Sequence, residues 1–300
     1  MSQIDDLDRQ AAAVAQQYTG DVAWPTIVLA LAVGALYIGT VVLALTGSLS
    51  LWVAVPLIAA LTYLSYTVLH ESVHGSITGT RQSLRWLNKT LGYMAAWIVM
   101  IPLTAHRPEH VAHHRYANDE TADPDYHVGK MQNSLLAAMR AALQAWVAQF
   151  SYYSKNRWRS APPRQNLVFC VEVFAMLAPR LLVIAAGFWV EGFALFVVAW
   201  LVGAVVLLYL FAYVVHRPQE HTGRYVDTST ILLPGLRGTL LTWFWMFQNY
   251  HSIHHLFPRV PFYRYEKVFK EIEHIMVAKG APIYRVTSKG LQPSHPEVTV

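Results

Sequence analysis

The chain has 300 residues, of which 54% are hydrophobic and only 14% are charged, and its mean hydropathy is +0.30. Soluble domains carry about 25% charged residues, so this composition excludes an average soluble protein and indicates a membrane protein. The formal charge of +5 does not indicate a nucleic-acid-binding protein, because the basic residues lie between apolar runs, where attraction to anionic lipid headgroups explains them.

The N-terminal segment and the cysteine content exclude several further features. Asp5, Asp6 and Asp8 stand where a signal peptide would have a basic start and an apolar core, so we expect no cleavable signal peptide. Cys170 is the only cysteine in the chain, which excludes an intramolecular disulfide and a cysteine-based metal site.

Four apolar stretches are long enough, or nearly so, to cross a hydrocarbon core about 30 Å thick, which takes about 20 helical residues. They run from about residue 25 to 46, 51 to 69, 166 to 190 and 193 to 215. Residues 47–50 form a short turn within the first pair, and Glu191-Gly192 separates the second pair. Because a helix in lipid satisfies its own backbone hydrogen bonds, we expect two helical hairpins.

Two hairpins place every long loop on one side of the membrane. Residues 70–165 and 216–300 contain many Lys and Arg residues, whereas the two connecting turns contain none. By the positive-inside rule, the loops and both termini are expected to be cytoplasmic. The sequence therefore predicts an all-α integral membrane protein, in which residues 1–300 form one domain of four spans and a cytoplasmic helical cap that carries the histidines.

Other features of the apolar stretches are harder to place. Residues 90–105 are short for a span, and residues 231–250 lead into a histidine cluster, so we expect two interfacial helices on the cytoplasmic side. Glu172 and Arg180 lie within the third span, where ionisable groups are costly. We expect Arg180 to pair with a neighbouring helix or to extend to the interface.

Most of the 14 histidines fall into three tight groups. They are His70 and His74 in an HxxxH motif, His110, His113 and His114 in an HxxHH motif, and His251, His254 and His255 in a second HxxHH motif. Positions i, i+3 and i+4 share one face of a helix, so each group directs several imidazoles to a common point. At this histidine content one HxxHH is expected roughly 0.03 times by chance. The groups therefore predict a metal site.

The number of histidines limits how many metal ions, and of which kind, the site could hold. Eight clustered imidazoles exceed what one tetrahedral zinc ion accepts, so two metal ions are expected. Imidazole ligates iron, zinc or copper, and the histidines alone do not select among them. Zinc cannot change oxidation state, whereas an iron pair can take electrons and activate dioxygen.

The motifs HESVH, HVAHH and HSIHH resemble the three histidine boxes of the membrane fatty acid desaturase superfamily in order, spacing and position after each hairpin. The resemblance covers about residues 25–285. It implies four spanning helices, a non-haem di-iron centre of two iron ions, O2 as co-substrate, and an external electron donor of the ferredoxin or cytochrome type. A donor is needed because the chain has no CxxC pair, haem-attachment motif or nucleotide-binding glycine pattern.

Two stretches resemble the carotenoid ring hydroxylases (β-carotene hydroxylases) within that superfamily. They are HHRYANDETADPDYH at residues 113–127 and NYHSIHHLFPRVPFYRY at residues 249–265. Acyl-lipid desaturases have similar sequences at both of these positions. Hydroxylation of a carotenoid ring is therefore slightly favoured, and desaturation of a fatty acyl lipid stays open as the alternative.

The superfamily often adds a ligand just beyond the last span. Here residues 216–225 offer His216 and His221, and His216 is favoured because it directly follows the helix. His106 is expected to support the site without ligating a metal. The remaining histidines, expected at the surface, are His127, His274 and His295.

Carboxylates near the histidines could orient them, because a ligating imidazole usually donates its other N–H to an oxygen. Those within reach in sequence are Glu71, Glu109, Asp119, Asp123, Asp125 and Glu220. A competing function is that of a histidine-rich metal transporter or sensor. Transport would need polar groups near the middle of the membrane, whereas these histidines lie at helix ends and in loops.

Overall fold

The computed structural model describes residues 3–131, 134–217 and 220–295, and this part of the chain is predominantly helical. The helices are α1 (Gln3–Gln16), α2 (Trp24–Leu45), α3 (Leu51–His74), α4 (Arg85–Val99), α5 (Leu103–Tyr116), α6 (Leu135–Asn156), α7 (Pro163–Ala185), α8 (Trp189–Tyr213), α9 (Gly235–Phe244), α10 (His251–Leu256) and α11 (Tyr265–Ala278). Three short strands follow the last span: β1 (Thr230–Leu232) pairs in parallel with β2 (Ile283–Thr287), which pairs antiparallel with β3 (Gly290–Pro293). The predicted single domain also includes residues 1–2, 132–133, 218–219 and 296–300, which lie outside the described residues.

The four predicted spans are confirmed as α2, α3, α7 and α8, each long and apolar enough to cross a membrane. Large apolar side chains on their outer faces are exposed, such as Leu31 on α2 and Phe174 on α7. In water such faces would be unfavourable, but in lipid they meet hydrocarbon. The second span extends further than expected, since α3 continues through both histidines of the HxxxH motif.

The second hairpin turns earlier than predicted. The turn lies at residues 186–188, where Gly187 has a φ of 101° that favours glycine, and α8 begins at Trp189. Glu191 and Gly192 therefore belong to the first turns of α8. Gly192 instead allows the two helices to approach closely, because a Cβ there would lie 2.6 Å from Cγ1 of Ile184.

The apolar residues 90–105 form parts of two helices, α4 and α5, which are separated by a turn at residues 100–102. Helix α4 packs along α3 and enters the bundle, where Trp97 contacts Tyr37 of α2 with 5.6 Å between ring centroids. Met100 ends α4 with a φ of 62°. The prediction of one continuous helix is thus wrong, because a turn divides the segment. The histidines that follow it on α5 lie at the same end of the bundle as His70.

Tryptophan side chains bond the backbone of this inserted turn. Nε1 of Trp200 donates to the carbonyl of Val99 at 2.8 Å, and Nε1 of Trp146 donates to the carbonyl of Met100 at 2.7 Å. Non-helical backbone at membrane depth is tolerated only where its polar groups are satisfied by the protein. The hydrogen bonds from the two indoles therefore allow the α4–α5 turn to pack inside the helical bundle.

Residues 231–250 do not form the single interfacial helix that the sequence predicts. They contain most of β1, the short helix α9 and a 3-10 turn at Gln248–Tyr250. Positive φ angles of 52° at Met246 and 59° at Phe247 interrupt the helical conformation before the last histidine group. Helix α9 exposes 78% of Leu236 and 76% of Phe244, which suits a helix lying on the lipid interface.

Candidate metal centre

The histidine groups meet at the end of the bundle where α3 ends. Side-chain nitrogens of five histidines lie within 4.8 Å of one another: His70, His74, His110, His114 and His254. A second group with the same spacing contains three: His113, His216 and His255. His251 lies beside the second group, with ring centroids 5.2 Å from His216 and 4.9 Å from His255. The two groups are close to each other, since the rings of His114 and His255 stack at 4.3 Å.

The helical repeat explains how the motifs divide between the groups. On α5, His110 and His114 lie one turn apart and face α3, whereas His113 is rotated toward the end of α8. On α10, His254 joins the first group and His255 the second. Each HxxHH motif thus contributes to both groups.

The structure distinguishes the two candidates for the extra ligand, His216 and His221. His216 is buried in the second group, whereas His221 lies outside both groups, and its main-chain carbonyl accepts a hydrogen bond of 2.8 Å from Asn118. His106 also lies outside both groups, and its Nδ1 is 3.0 Å from Oε1 of Gln149. His274 and His295 are exposed as predicted, and His127 is half-buried beside Pro124.

Ring nitrogens within the groups lack the partners that buried polar atoms normally have. Those without a hydrogen bond are Nε2 of His70, His74 and His255, and Nδ1 of His216. Elsewhere nitrogens face each other, as do the Nε2 atoms of His110 and His114 at 3.0 Å and those of His254 and His114 at 2.8 Å. Converging nitrogens of this kind fit a pair of imidazole-ligated metal ions.

Burial keeps most of these imidazoles in the form that ligates metals. It lowers the pKa of His110, His114, His216, His251, His254 and His255 well below the usual value. A neutral imidazole offers a lone pair, whereas a protonated one repels a cation. His113 differs: burial lowers its pKa, but the hydrogen bond that its Nδ1–H donates to Asp123 and the charge of the nearby carboxylates outweigh that effect and raise the pKa to about 9.

Comparison with known families agrees with this geometry. The model of the family described as fatty acid desaturase matches residues 46–287, which include all three histidine motifs. The chain belongs to the fatty acid desaturase family. No curated protein matches it significantly.

Membership makes this desaturase-family protein an integral membrane oxidoreductase that acts on lipid. The family is known to use a di-iron centre, and the two histidine groups fit that requirement in number and chemistry. The resemblance seen in the sequence is thereby confirmed at the level of the superfamily.

Hydrogen bonds that Nδ1–H donates orient four of the histidines in this desaturase-family protein and leave the Nε2 lone pairs facing the two histidine groups. The pairs are His113 with Asp123 at 2.9 Å, His255 with Asp227 at 3.2 Å, His251 with Gln248 at 2.8 Å, and His254 with the hydroxyl of Tyr265 at 3.0 Å. Asp123 was among the predicted carboxylates. Gln248 could have been predicted as a hydrogen-bond partner from its position three residues before His251. Nothing in the sequence near His255 or His254 points to Asp227 or Tyr265 as a partner.

The other predicted carboxylates have different surroundings. Glu71 accepts hydrogen bonds from the main-chain N–H of Phe262 at 3.2 Å and from Thr26 at 3.4 Å. Asp119 accepts from Thr121 within its own turn, and Glu220 is exposed. Glu109 is fully buried 3.5 Å from Nδ1 of His106, and Asp125 lies 4.0 Å from Nδ1 of His113. These last two therefore lie next to the cluster without bonding a ligand closely.

A largely apolar cavity adjoins both histidine groups. It lies between α6, α8 and the α4–α5 turn, and His70, His110, His113, His216 and His251 line its inner end. Its walls include Trp146, Trp200 and Phe211, and alanines at positions 142, 145, 204 and 212 widen it. An apolar site beside metal-ligating groups can hold a hydrocarbon and exclude water.

Proposed function

We propose that this protein is an O2-dependent, non-haem di-iron oxidoreductase that hydroxylates or desaturates a hydrocarbon dissolved in the bilayer. The observation that carries the proposal is the contact between the two histidine groups and the apolar cavity, since four members of the groups and the neighbouring His251 also line the cavity. The histidines that would hold the iron pair are His70, His74, His110, His113, His114, His216, His251, His254 and His255. Bound there, the iron pair would supply the activation of O2.

The two reactions have the same requirement for electrons. Hydroxylation converts one C–H bond, one O2, two electrons and two protons into one C–OH group and one water. Desaturation removes two hydrogens from adjacent carbons and, with the same O2, electrons and protons, gives a double bond and two waters. In either reaction the cavity walls hold the chain against the histidine end, and the indoles of Trp146 and Trp200 keep water out.

Within this function, hydroxylation of a carotenoid ring is the favoured reaction. The similarity of residues 113–127 and 249–265 to the carotenoid ring hydroxylases supports it, as does the width that four alanines give the cavity near His113 and His216. Desaturation of an acyl lipid is the second candidate, supported by the description of the matching family.

We further propose that the histidine end of the bundle faces the cytoplasm. Residues 70–165 and 216–300 carry the basic residues, and the turn at residues 47–50 and the turn at residues 186–188 carry none. The electron donor would then be a cytoplasmic protein of the ferredoxin or cytochrome type.

Product analysis in one bacterial host tests the reaction. The host accumulates β-carotene and co-expresses a ferredoxin system, and pigments and membrane fatty acids are extracted from the same cells, with a His254→Ala strain as control. New oxygenated carotenoids with unchanged acyl chains would establish ring hydroxylation. New unsaturated or hydroxylated acyl chains with untouched β-carotene would establish an acyl-lipid enzyme, and no new product in either fraction would contradict both.

A further inference from the structure

A second concavity opens at the histidine end and is separate from the apolar cavity. The loop after α3, the first turns of α4 and part of α5 form its walls. Among the described residues that line the two spaces, none is shared. The lining of this second space is polar, and it includes Ser76, Thr78 and Asn88. It is therefore not a continuation of the hydrocarbon site.

Positive charge dominates this concavity, which we call the basic depression. Arg85, Lys89, Arg107 and Arg259 line it and are all exposed, and within the described part of its wall no residue is acidic. Arg85 and Lys89 lie one helical turn apart, so α4 presents both to the same space. A concave surface of one sign focuses its field and attracts ligands of the opposite sign.

His74 also lines the basic depression. It is half-buried, and the charges of Arg107 and Arg259 act on it. On its other side, its ring lies 4.9 Å from that of His114 and 4.8 Å from that of His254. A single imidazole therefore connects the basic surface with the first histidine group.

We propose that the basic depression is the docking surface of an acidic one-electron carrier protein, which delivers electrons to the histidine cluster past His74. This inference rests on the proposed function, because that reaction consumes two electrons and the chain has no redox motif of its own. Each docking oxidises the carrier by one electron, and two dockings supply one turnover. The substrate occupies the apolar cavity, so electrons and substrate reach the cluster from different sides.

Charge complementarity selects an acidic protein as the occupant. Arg85, Lys89, Arg107 and Arg259 surround the opening, and rim charges of this kind steer a partner and fix its orientation. An anionic lipid headgroup would also neutralise these charges. It would make no use of the contact between the depression and the histidine cluster, whereas a redox carrier needs that contact.

Binding of an acidic [2Fe–2S] ferredoxin to the full-length protein tests the docking surface without depending on catalysis. The iron-loaded protein is placed in nanodiscs of neutral phosphatidylcholine, and the Kd for oxidised ferredoxin is measured at several salt concentrations. The test variant is Arg85→Glu/Lys89→Glu. The matched control is Arg285→Glu/Lys289→Glu, which makes the same charge change at exposed positions of the β2–β3 hairpin.

We expect wild-type binding that weakens as salt rises, and a Kd that the Arg85→Glu/Lys89→Glu change raises by about tenfold or more. The control should stay within about twofold of wild type. Equal binding by the test variant and wild type, or no ferredoxin binding by wild type, would overturn the proposal. So would retention by phosphatidylglycerol vesicles that depends on Arg85 and Lys89 in the absence of ferredoxin binding.

Turnover with two reductants separates this proposal from the proposed function. Iron-loaded protein is supplied with reduced ferredoxin, or with dithionite and a small neutral mediator that needs no docking surface. The test variant should lose ferredoxin-driven product and keep mediator-driven product. Equal ferredoxin-driven product in the test variant and wild type would reject the docking surface alone. Absence of product from wild type with both reductants, together with the expected binding pattern, would reject the reaction alone.

Discussion

Glu172 and Arg180 lie on α7 and hold opposite sides of the α4–α5 turn. The carboxylate of Glu172 accepts from the main-chain N–H groups of Leu103 at 2.8 Å and Thr104 at 3.2 Å, at the N-terminus of α5. The guanidinium of Arg180 donates to the carbonyl of Trp97 at 2.7 Å near the C-terminus of α4, and lies 4.4 Å over its ring. Each charge matches the helix dipole that it faces. The expectation that Arg180 pairs with a neighbouring helix is confirmed.

Replacing Glu172 with alanine should destabilise the protein. Two backbone N–H groups at the start of α5 would lose their acceptor in an apolar setting, at a cost of about 1–3 kcal/mol. We expect a lower Tm in detergent or nanodiscs, and lower activity because α5 carries His110, His113 and His114. Leu181→Ala, on an exposed face of the same helix, is the control. An unchanged Tm for Glu172→Ala would show that water satisfies these groups.

The variants His216→Ala and His221→Ala should differ sharply in iron content and in turnover. His216 belongs to the second histidine group, whereas His221 lies outside both groups. We expect His216→Ala to lower iron content and to reduce turnover by about 100-fold or more, and His221→Ala to keep wild-type values within about twofold. Iron analysis of the purified variants and product yield measure both. The assignment would be reversed if His221→Ala were the inactive variant.

Removing the hydroxyl of Tyr265 should weaken metal binding without unfolding the protein. Tyr265 is fully buried, and its hydroxyl lies 3.0 Å from Nδ1 of His254. The change to phenylalanine keeps the ring volume and frees this imidazole to rotate or change tautomer, so iron affinity should fall by about 10- to 100-fold. Competition with a chelator measures it. The change Tyr263→Phe, at a half-buried neighbour outside the cluster, is the control.

Enlarging Ala142 should change substrate selection. Ala142 is buried on α6 and lines the apolar cavity, whereas the adjacent Leu143 is exposed. Ala142→Phe fills space in the cavity beside the histidine groups. Product from a carotenoid ring, which is wider, should therefore fall more than product from a straight acyl chain. Leu143→Phe should leave the product ratio unchanged. Identical ratios for both variants would place the substrate elsewhere.

The spans and the candidate ligands could be predicted because their signals are local. A helix in lipid bonds its own backbone, so a run of apolar residues such as 25–46 suffices to locate α2. The helical repeat alone directs His110, His113 and His114 to the same region. The second hairpin turn was misplaced because either Gly187 or Gly192 could have ended a helix. Only the structure shows that Gly187 takes the positive φ of the turn, whereas Gly192 packs against Ile184.

What the sequence determined by itself was the membrane character, the two hairpins and the set of histidines, since hydropathy and residue spacing act within single helices. Only the tertiary structure decided how the histidines divide into two groups, and that Asp227 and Tyr265 support His255 and His254. It also decided the position of the α4–α5 turn within the bundle, where charged groups of α7 and indoles of α6 and α8 bond its backbone. These features rest on contacts between residues in different helices and loops, where no sequence period carries information.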